Sequence, residues 1–190
     1  MMNFETDIKI CLQVLKAGGI ILYPTDTVWG LGCDATNENA VAKIFAIKQR
    51  KETKSMIILL EDEKQIKQYC KAPSPALKKV ITETLSPLTV IYSGAKNLAA
   101  NIINEDGTVA IRIVKDAFCE TLIKAFGKPI VSTSANVSGK PTPKIFDEIA
   151  TVIKSGANYI VQHRQKDRTI TNPSKIILFK NNGEIIVIRN

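Results

Sequence analysis

Ile8-Lys-Ile-Cys-Leu-Gln-Val-Leu-Lys-Ala-Gly-Gly-Ile-Ile-Leu-Tyr23 changes period partway along, and that change decides the class of fold. Ile8, Cys11, Leu12 and Leu15 recur at i, i+3, i+4 and i+7, one face of an amphipathic helix. Gly18-Gly19 ends it, and Ile20–Tyr23 reads as a short apolar strand. The same alternation repeats outward from here. Asn37 can cap a second helix with Val41, Ile44 and Phe45 on one face, ahead of a buried strand at Ser55–Leu60. Helical spacing returns at Leu77, Val80 and Ile81, with Pro75 suited to a first turn, and at Cys119, Leu122, Ile123 and Phe126, closed by Gly127. The expected strands between them are Leu88–Tyr92, Thr108–Ile113, Pro129–Ser132 and Tyr159–Val161. A final pair, Lys175–Phe179 and Glu184–Ile188, turns through Asn182-Gly183 as a hairpin. Helices alternating with strands and followed by a hairpin predict an α/β domain with a mixed sheet.

The 190 residues hold 45% hydrophobic and 23% charged side chains, ordinary values for a globular chain. No repeat or linker divides them, so a single domain over residues 4–190 is expected. The longest uncharged run, Thr84–Ala95, contains a proline and falls short of the ~18 residues of a membrane span. Four cysteines form no Cys-x-x-Cys, and the only histidine, His163, has no cysteine within forty residues. A zinc site is therefore not expected, and His163 reads as a surface residue. With no signal-like N-terminus and no dense cysteine framework, the cytosol is the expected compartment. Twenty-six basic against 18 acidic residues give +8, a surface that favours nucleotides, nucleic acid or acidic lipid. Residues 1–42 carry two lysines and five acids, a net of −3, which leaves +11 on the remainder.

Neither a Gly-x-x-x-x-Gly-Lys-[Ser/Thr] loop nor a complete dinucleotide fingerprint is present, and one histidine leaves little for a Ser-His-Asp site. Three stretches stand out instead. Ala46-Ile-Lys48-Gln-Arg50-Lys51-Glu-Thr-Lys54 carries four cations and one acid. On a continuing helix Lys48 and Arg50 diverge by about 200°, so they can grip one polyanion only if the helix stops near Lys48. The alternative is a solvated helix end whose cations answer the C-terminal dipole. Tyr23-Pro-Thr-Asp-Thr-Val-Trp-Gly-Leu-Gly32 breaks from a strand into a loop that offers hydroxyls and backbone N–H groups, or simply packs its tryptophan in a turn. Pro129-Ile-Val-Ser-Thr-Ser-Ala-Asn-Val-Ser-Gly139 runs from a buried strand into small hydroxyl and amide side chains, as a strand-end site or as a cap and turn.

In this order, these segments resemble the YrdC-like family, the L-threonylcarbamoyladenylate synthases of tRNA modification. The resemblance spans nearly the whole chain. It is carried by residues 23–32, Lys48-x-Arg50, Thr-Val-Ala-Ile-Arg at 108–112 and Ser134-x-Asn136 followed by Ser-Gly, and extended by Asn172-Pro-Ser174 and Arg189. It implies a nucleotidyltransferase in the cytoplasm that joins threonine, bicarbonate and ATP into threonylcarbamoyl-AMP with release of pyrophosphate. A downstream complex would place the product on tRNA. The fold implied is a twisted mixed sheet with flanking helices around a concave basic cleft. By similarity, Lys48, Arg50 and Lys54 would hold the triphosphate with Mg²⁺ helping, without a dedicated protein metal site. Thr108 and Arg189 would contact the nucleotide, and Ser134 and Asn136 would line the reacting centre. Thr27, Arg112 and Ser174 would surround the threonine.

The chain departs from the family pattern at Lys51 and Ser55, where prolines are common, at Leu59, where some members place a histidine, and at Ile113-Val114 after the arginine. It stops at Asn190, so the extra C-terminal domain of longer members is not expected. The runner-up reading is a module that binds tRNA or double-stranded RNA through the same cations without catalysis. It would call for stacking aromatics, and only 6% of residues are aromatic.

Overall fold

The computed structural model describes residues 4–49, 56–180 and 184–190. In chain order the elements are α1 (Glu5–Lys16), β1 (Ile21–Tyr23), β2 (Gly30–Gly32), α2 (Glu38–Ile47), β3 (Ile57–Leu60), α3 (Ile66–Tyr69) and α4 (Pro75–Glu83). They continue as β4 (Leu88–Ser93), β5 (Thr108–Ile113), α5 (Ala117–Phe126), β6 (Ile130–Ser134), α6 (Thr151–Gly156), β7 (Tyr159–Ile160), β8 (Lys175–Phe179) and β9 (Ile185–Arg189). The strands form one mixed sheet in the order β7-β1-β2-β6-β3-β5-β4-β8-β9. The pairs β1–β7, β3–β5 and β4–β8 are parallel and the others antiparallel. This is the mixed α/β domain that the alternation predicts. The terminal pair is antiparallel as expected, while its turn at Asn182-Gly183 lies outside the described residues.

Helix ends fall where local chemistry puts them. Asn37 Oδ1 accepts the Ala40 N–H at 3.1 Å and so satisfies one of the donors that open α2. Ser74 does the same for Leu77 at 3.2 Å, with Pro75 in the first turn of α4. Gly127 closes α5 at φ +75°, the left-handed turn that glycine takes at little cost. Ile8, Cys11 and Leu15 of α1 and Val41, Ile44 and Phe45 of α2 are buried, as their spacing requires. Among the described residues, no helix is long and apolar enough to cross a membrane.

Two expectations are corrected. His163 is half-buried rather than on the surface, because its ring packs on Phe4 and Phe118 at centroid separations of 5.2 and 5.7 Å. Burial, with the nearby Arg164, lowers its pKa from the ordinary histidine value. The stretch read as a loop up to Gly32 ends instead in strand β2, paired with β1 on one side and β6 on the other. Glycine carries no strand signal, yet the pairing demands it. A Cβ on Gly32 would lie 2.6 Å from Tyr23 Cε1 and 2.7 Å from the Val131 carbonyl oxygen. Gly32→Ala is therefore expected to cost about 1–3 kcal/mol through overpacking. Thermal unfolding should record this as a fall of roughly 2–12 °C, and an unchanged midpoint would mean that the sheet can spread there.

Candidate active site

Strand pairing lays down the floor of a cavity of about 270 Å³. Ile91, Ala110, Ile57 and Ser132 stand opposite one another on β4, β5, β3 and β6, a cross-strand row with one polar end, and all four line the cavity. One register step of two residues along β5 places Arg112 on the same face as Ala110. Thr27 enters from the β1–β2 loop, Ser134 from the end of β6, Ser174 from the residue just before β8 and Arg189 from the end of β9. Thr142 also lines the wall.

The polar groups are held in a fixed network. Arg112, only 3% exposed, donates from Nη1 to Thr27 Oγ1 at 3.2 Å, and its Nη2 stands 3.1 Å from Asp26 Oδ1. Thr27 is tied in turn to Thr25 Oγ1 at 2.9 Å, and its carbonyl accepts from the Thr171 hydroxyl. Ser174 is buried and shares a 2.8 Å hydrogen bond with Thr89. Arg189 donates from Nε and Nη2 to the Ser174 carbonyl at 3.0 and 2.8 Å. Burial, then the neighbouring Arg112, lowers the Arg189 pKa from its ordinary value, so this cation stands where an anion would relieve it.

Ser134 Oγ donates to Asn136 Oδ1 at 2.5 Å, and Asn136 Nδ2 donates to the carbonyls of Val137 and Lys140 at 3.1 and 2.6 Å. Lys48 sits behind this turn. Its ammonium donates to the carbonyls of Ser134 and, at 2.7 Å, Asn136, while its own carbonyl accepts from Ser138 N at 2.8 Å. At 1% exposure Lys48 is not the solvated helix end that the alternative describes. The helix does stop where the geometric demand requires: Lys48 caps α2 and Gln49 turns left-handed at φ 49°. Whether Arg50 shares a face with Lys48 lies outside the described residues, as do Lys51, Lys54 and Ser55.

Of the residues singled out from sequence, Thr27, Arg112, Ser134, Ser174 and Arg189 meet in one cavity, with Asn136 bonded to its wall. Thr108 does not line it. That residue lies at the far end of β5, where its hydroxyl bonds Asp106 at 2.6 Å and Asn104 at 2.8 Å. Leu59 is fully buried beside Arg112 and contributes nothing to the lining. Ser132 and Thr142 were missed. Strand alternation back from Ser134 points to Ser132, whereas nothing local marks Thr142. Cysteine nucleophiles are disfavoured: burial pushes the Cys119 thiol far up, and the carboxylates of Asp116 and Asp26 add to it. Among the described residues, no three histidine, cysteine or carboxylate side chains gather where they could hold a metal.

The sequence profile of the Sua5_yciO_yrdC family, described as telomere recombination, matches residues 13–190. A threonylcarbamoyl-AMP synthase from Pseudoalteromonas translucida is 35% identical over 144 residues, covering 74% of this chain and 77% of that protein. One from Vibrio cholerae is 30% identical over 178 residues, covering 92% and 94%. Among solved structures, P. abyssi Sua5 complexed with L-threonine superposes with a TM-score of 0.85 at 26% identity. That match covers 97% of this chain and 54% of the P. abyssi protein, so the chain spans about half of its length.

Proposed function

The chain belongs to the Sua5/YciO/YrdC family, and from that premise we propose that it is a threonylcarbamoyl-AMP synthase, a nucleotidyltransferase acting on L-threonine, bicarbonate and ATP. The observation that carries the reading is the cavity itself: two arginines and a set of hydroxyls converge, and among the described residues no carboxylate or histidine lines it. Threonine amine and bicarbonate give a carbamate and water, a carbamate oxygen attacks the α-phosphate, and the P–O bond to pyrophosphate breaks. The obstacle is to bring anions together and to hold the charge that develops on the leaving group. Fixed cations and hydroxyls meet that need without a general base.

Arg112, Thr27 and Ser174 would hold threonine, the arginine taking its carboxylate. Arg189 would meet the nucleotide phosphates together with Arg50 and Lys54. Ser134 and Asn136 would face the reacting carbamate, in a turn that Lys48 holds in shape, so Lys48 serves by position more than by touching phosphate. Among the described residues, the cavity wall has no carboxylates for Mg²⁺ and no resident metal site is formed. The ion would arrive on ATP as part of the substrate. The product would pass in the cytoplasm to a complex that transfers it to tRNA. The RNA-binding alternative is not favoured, since among the described residues no aromatic side chain lines the cavity for a base to stack on.

Incubation of the purified protein with ATP, Mg²⁺, bicarbonate and L-threonine should release pyrophosphate only when threonine is present. Release that ignores threonine, or none at all, would overturn the reading.

A further inference from the structure

Arg112 and Asp26 form a buried ion pair, with side chains 4% and 9% exposed. Although Arg112 Nη2 and Asp26 Oδ1 lie 3.1 Å apart, they are not aligned as a hydrogen bond. Among the described residues, both Asp26 oxygens and Arg112 Nε and Nη2 lack any hydrogen-bond partner. Four unpartnered polar atoms on one pair is an unusual concentration, because native proteins pair nearly all such groups. Stability does not explain it. A buried ion pair with poor hydrogen bonding recovers too little to offset its desolvation. The placement is the second clue: Arg112 lines the cavity, and Asp26 does not. The carboxylate therefore stands behind the guanidinium, on the side away from any ligand.

We propose that Asp26 makes this subsite selective for an amino acid, by neutralising Arg112 from behind so that the guanidinium accepts the carboxylate of a zwitterion but not a phosphate. The inference rests on the proposed synthase function, in which Arg112 meets threonine and a triphosphate shares the cavity. Both substrates bring anionic oxygens to the same space, and two bare arginines would not tell them apart. The two arginines differ in this respect. Arg189 donates to Ser174 and forms no ion pair among the described residues, so it keeps its net charge for a polyanion. Arg112 with Asp26 has no net charge and offers donors in a fixed fork. A zwitterion also has no net charge: its carboxylate can meet the fork while its ammonium is drawn toward the carboxylate behind. A phosphate dianion brings no ammonium to answer Asp26, so the carboxylate cancels most of the attraction that Arg112 alone would exert on it.

Calorimetric titration of inorganic sulfate and of L-threonine into the wild-type protein and into Asp26→Asn tests this without turnover. Freed of its counter-charge, Arg112 in Asp26→Asn should bind sulfate about tenfold more tightly and threonine about tenfold more weakly, and sulfate should now compete with threonine. Asp26→Glu, which keeps the charge, should retain the weak sulfate binding of the wild type. Unchanged sulfate affinity in Asp26→Asn, or lost threonine binding with no gain for sulfate, overturns the inference, as does a gain for sulfate in Asp26→Glu. Should Asp26→Asn fail to fold, the wild type decides. Raising sodium chloride from about 50 to about 500 mM should change threonine affinity less than about twofold while weakening ATP, and a tenfold loss for threonine overturns the neutral pair. Because sulfate binding needs no catalysis, a wild type that forms no pyrophosphate would sink the synthase reading and leave this result to be judged by itself.

Discussion

Replacing Lys48 with methionine should cut threonine-dependent pyrophosphate release about a hundredfold or more and lower the melting temperature together with it. The side chain is fully buried, and its ammonium satisfies the carbonyls of Ser134 and Asn136. Methionine fills a similar volume but donates nothing, so two buried acceptors lose their partner at about 1–3 kcal/mol each. The melting temperature should fall by roughly 4–24 °C. The Ser134–Asn136 turn then loses the tie that sets it against the cavity, and loss of a positioned donor beside the reacting centre supplies the kinetic effect. Lys48→Arg should not rescue, since a wider planar group has no space at 1% exposure. Full activity in Lys48→Met, or a large rise in the KM for ATP with an unchanged melting temperature, would show instead that Lys48 grips phosphate.

Arg112→Met should be the most damaging single change in the molecule. It removes the group proposed to hold threonine and leaves the Asp26 carboxylate buried without its counter-charge. Such an orphaned charge costs about 3–5 kcal/mol, or roughly 6–20 °C in melting temperature, and turnover should drop about a thousandfold. Adding Asp26→Asn to Arg112→Met should return most of the stability and none of the activity, because the two residues are energetically coupled. Calorimetric unfolding of the four proteins in that cycle measures the coupling. Additive losses would mean that the two charges do not act on each other.

Features that depend on nearby residues are legible in the order of amino acids alone. Asn37 and Gly127 announce helix ends through chemistry acting within one turn, and the apolar spacing of α1, α2 and α5 names their buried faces. What escapes such a reading depends on groups far along the chain. Gly32 belongs in a strand because Tyr23 and Val131 leave no room for a side chain there. Lys48 looks like surface charge until its acceptors, 86 and 88 residues away, are brought against it. Asp26 is one acid among the polar residues after Tyr23, and its importance comes from Arg112 on β5, reached through sheet pairing. The family resemblance supplies what periodicity cannot, naming Thr27, Arg112, Ser134, Ser174 and Arg189, all of which line one cavity. Thr108 shows its limit, since sharing a strand face with Arg112 does not place it at the wall.

The terminal hairpin is expected to make completion of the site a late event. β8 joins the sheet only through β4, and β9 only through β8, with Ile185, Val187 and Ile188 left 44–55% exposed. Yet this edge unit delivers Arg189, while Thr27 comes from the opposite end of the chain. Closure over so long a separation costs chain entropy that local contacts do not, and docking of the hairpin is expected to follow them. A partly folded chain can therefore possess α1, α2 and the middle of the sheet and still lack Arg189 and Ser174 at the cavity wall. Once the last strand docks, a ligand spanning Arg112 and Arg189 would tie it down, and at a hundredfold excess over Kd that linkage amounts to about 2.7 kcal/mol. A ligand then acts as a latch on one edge of the sheet, and the ability to bind becomes a sign that the sheet has closed from one edge to the other.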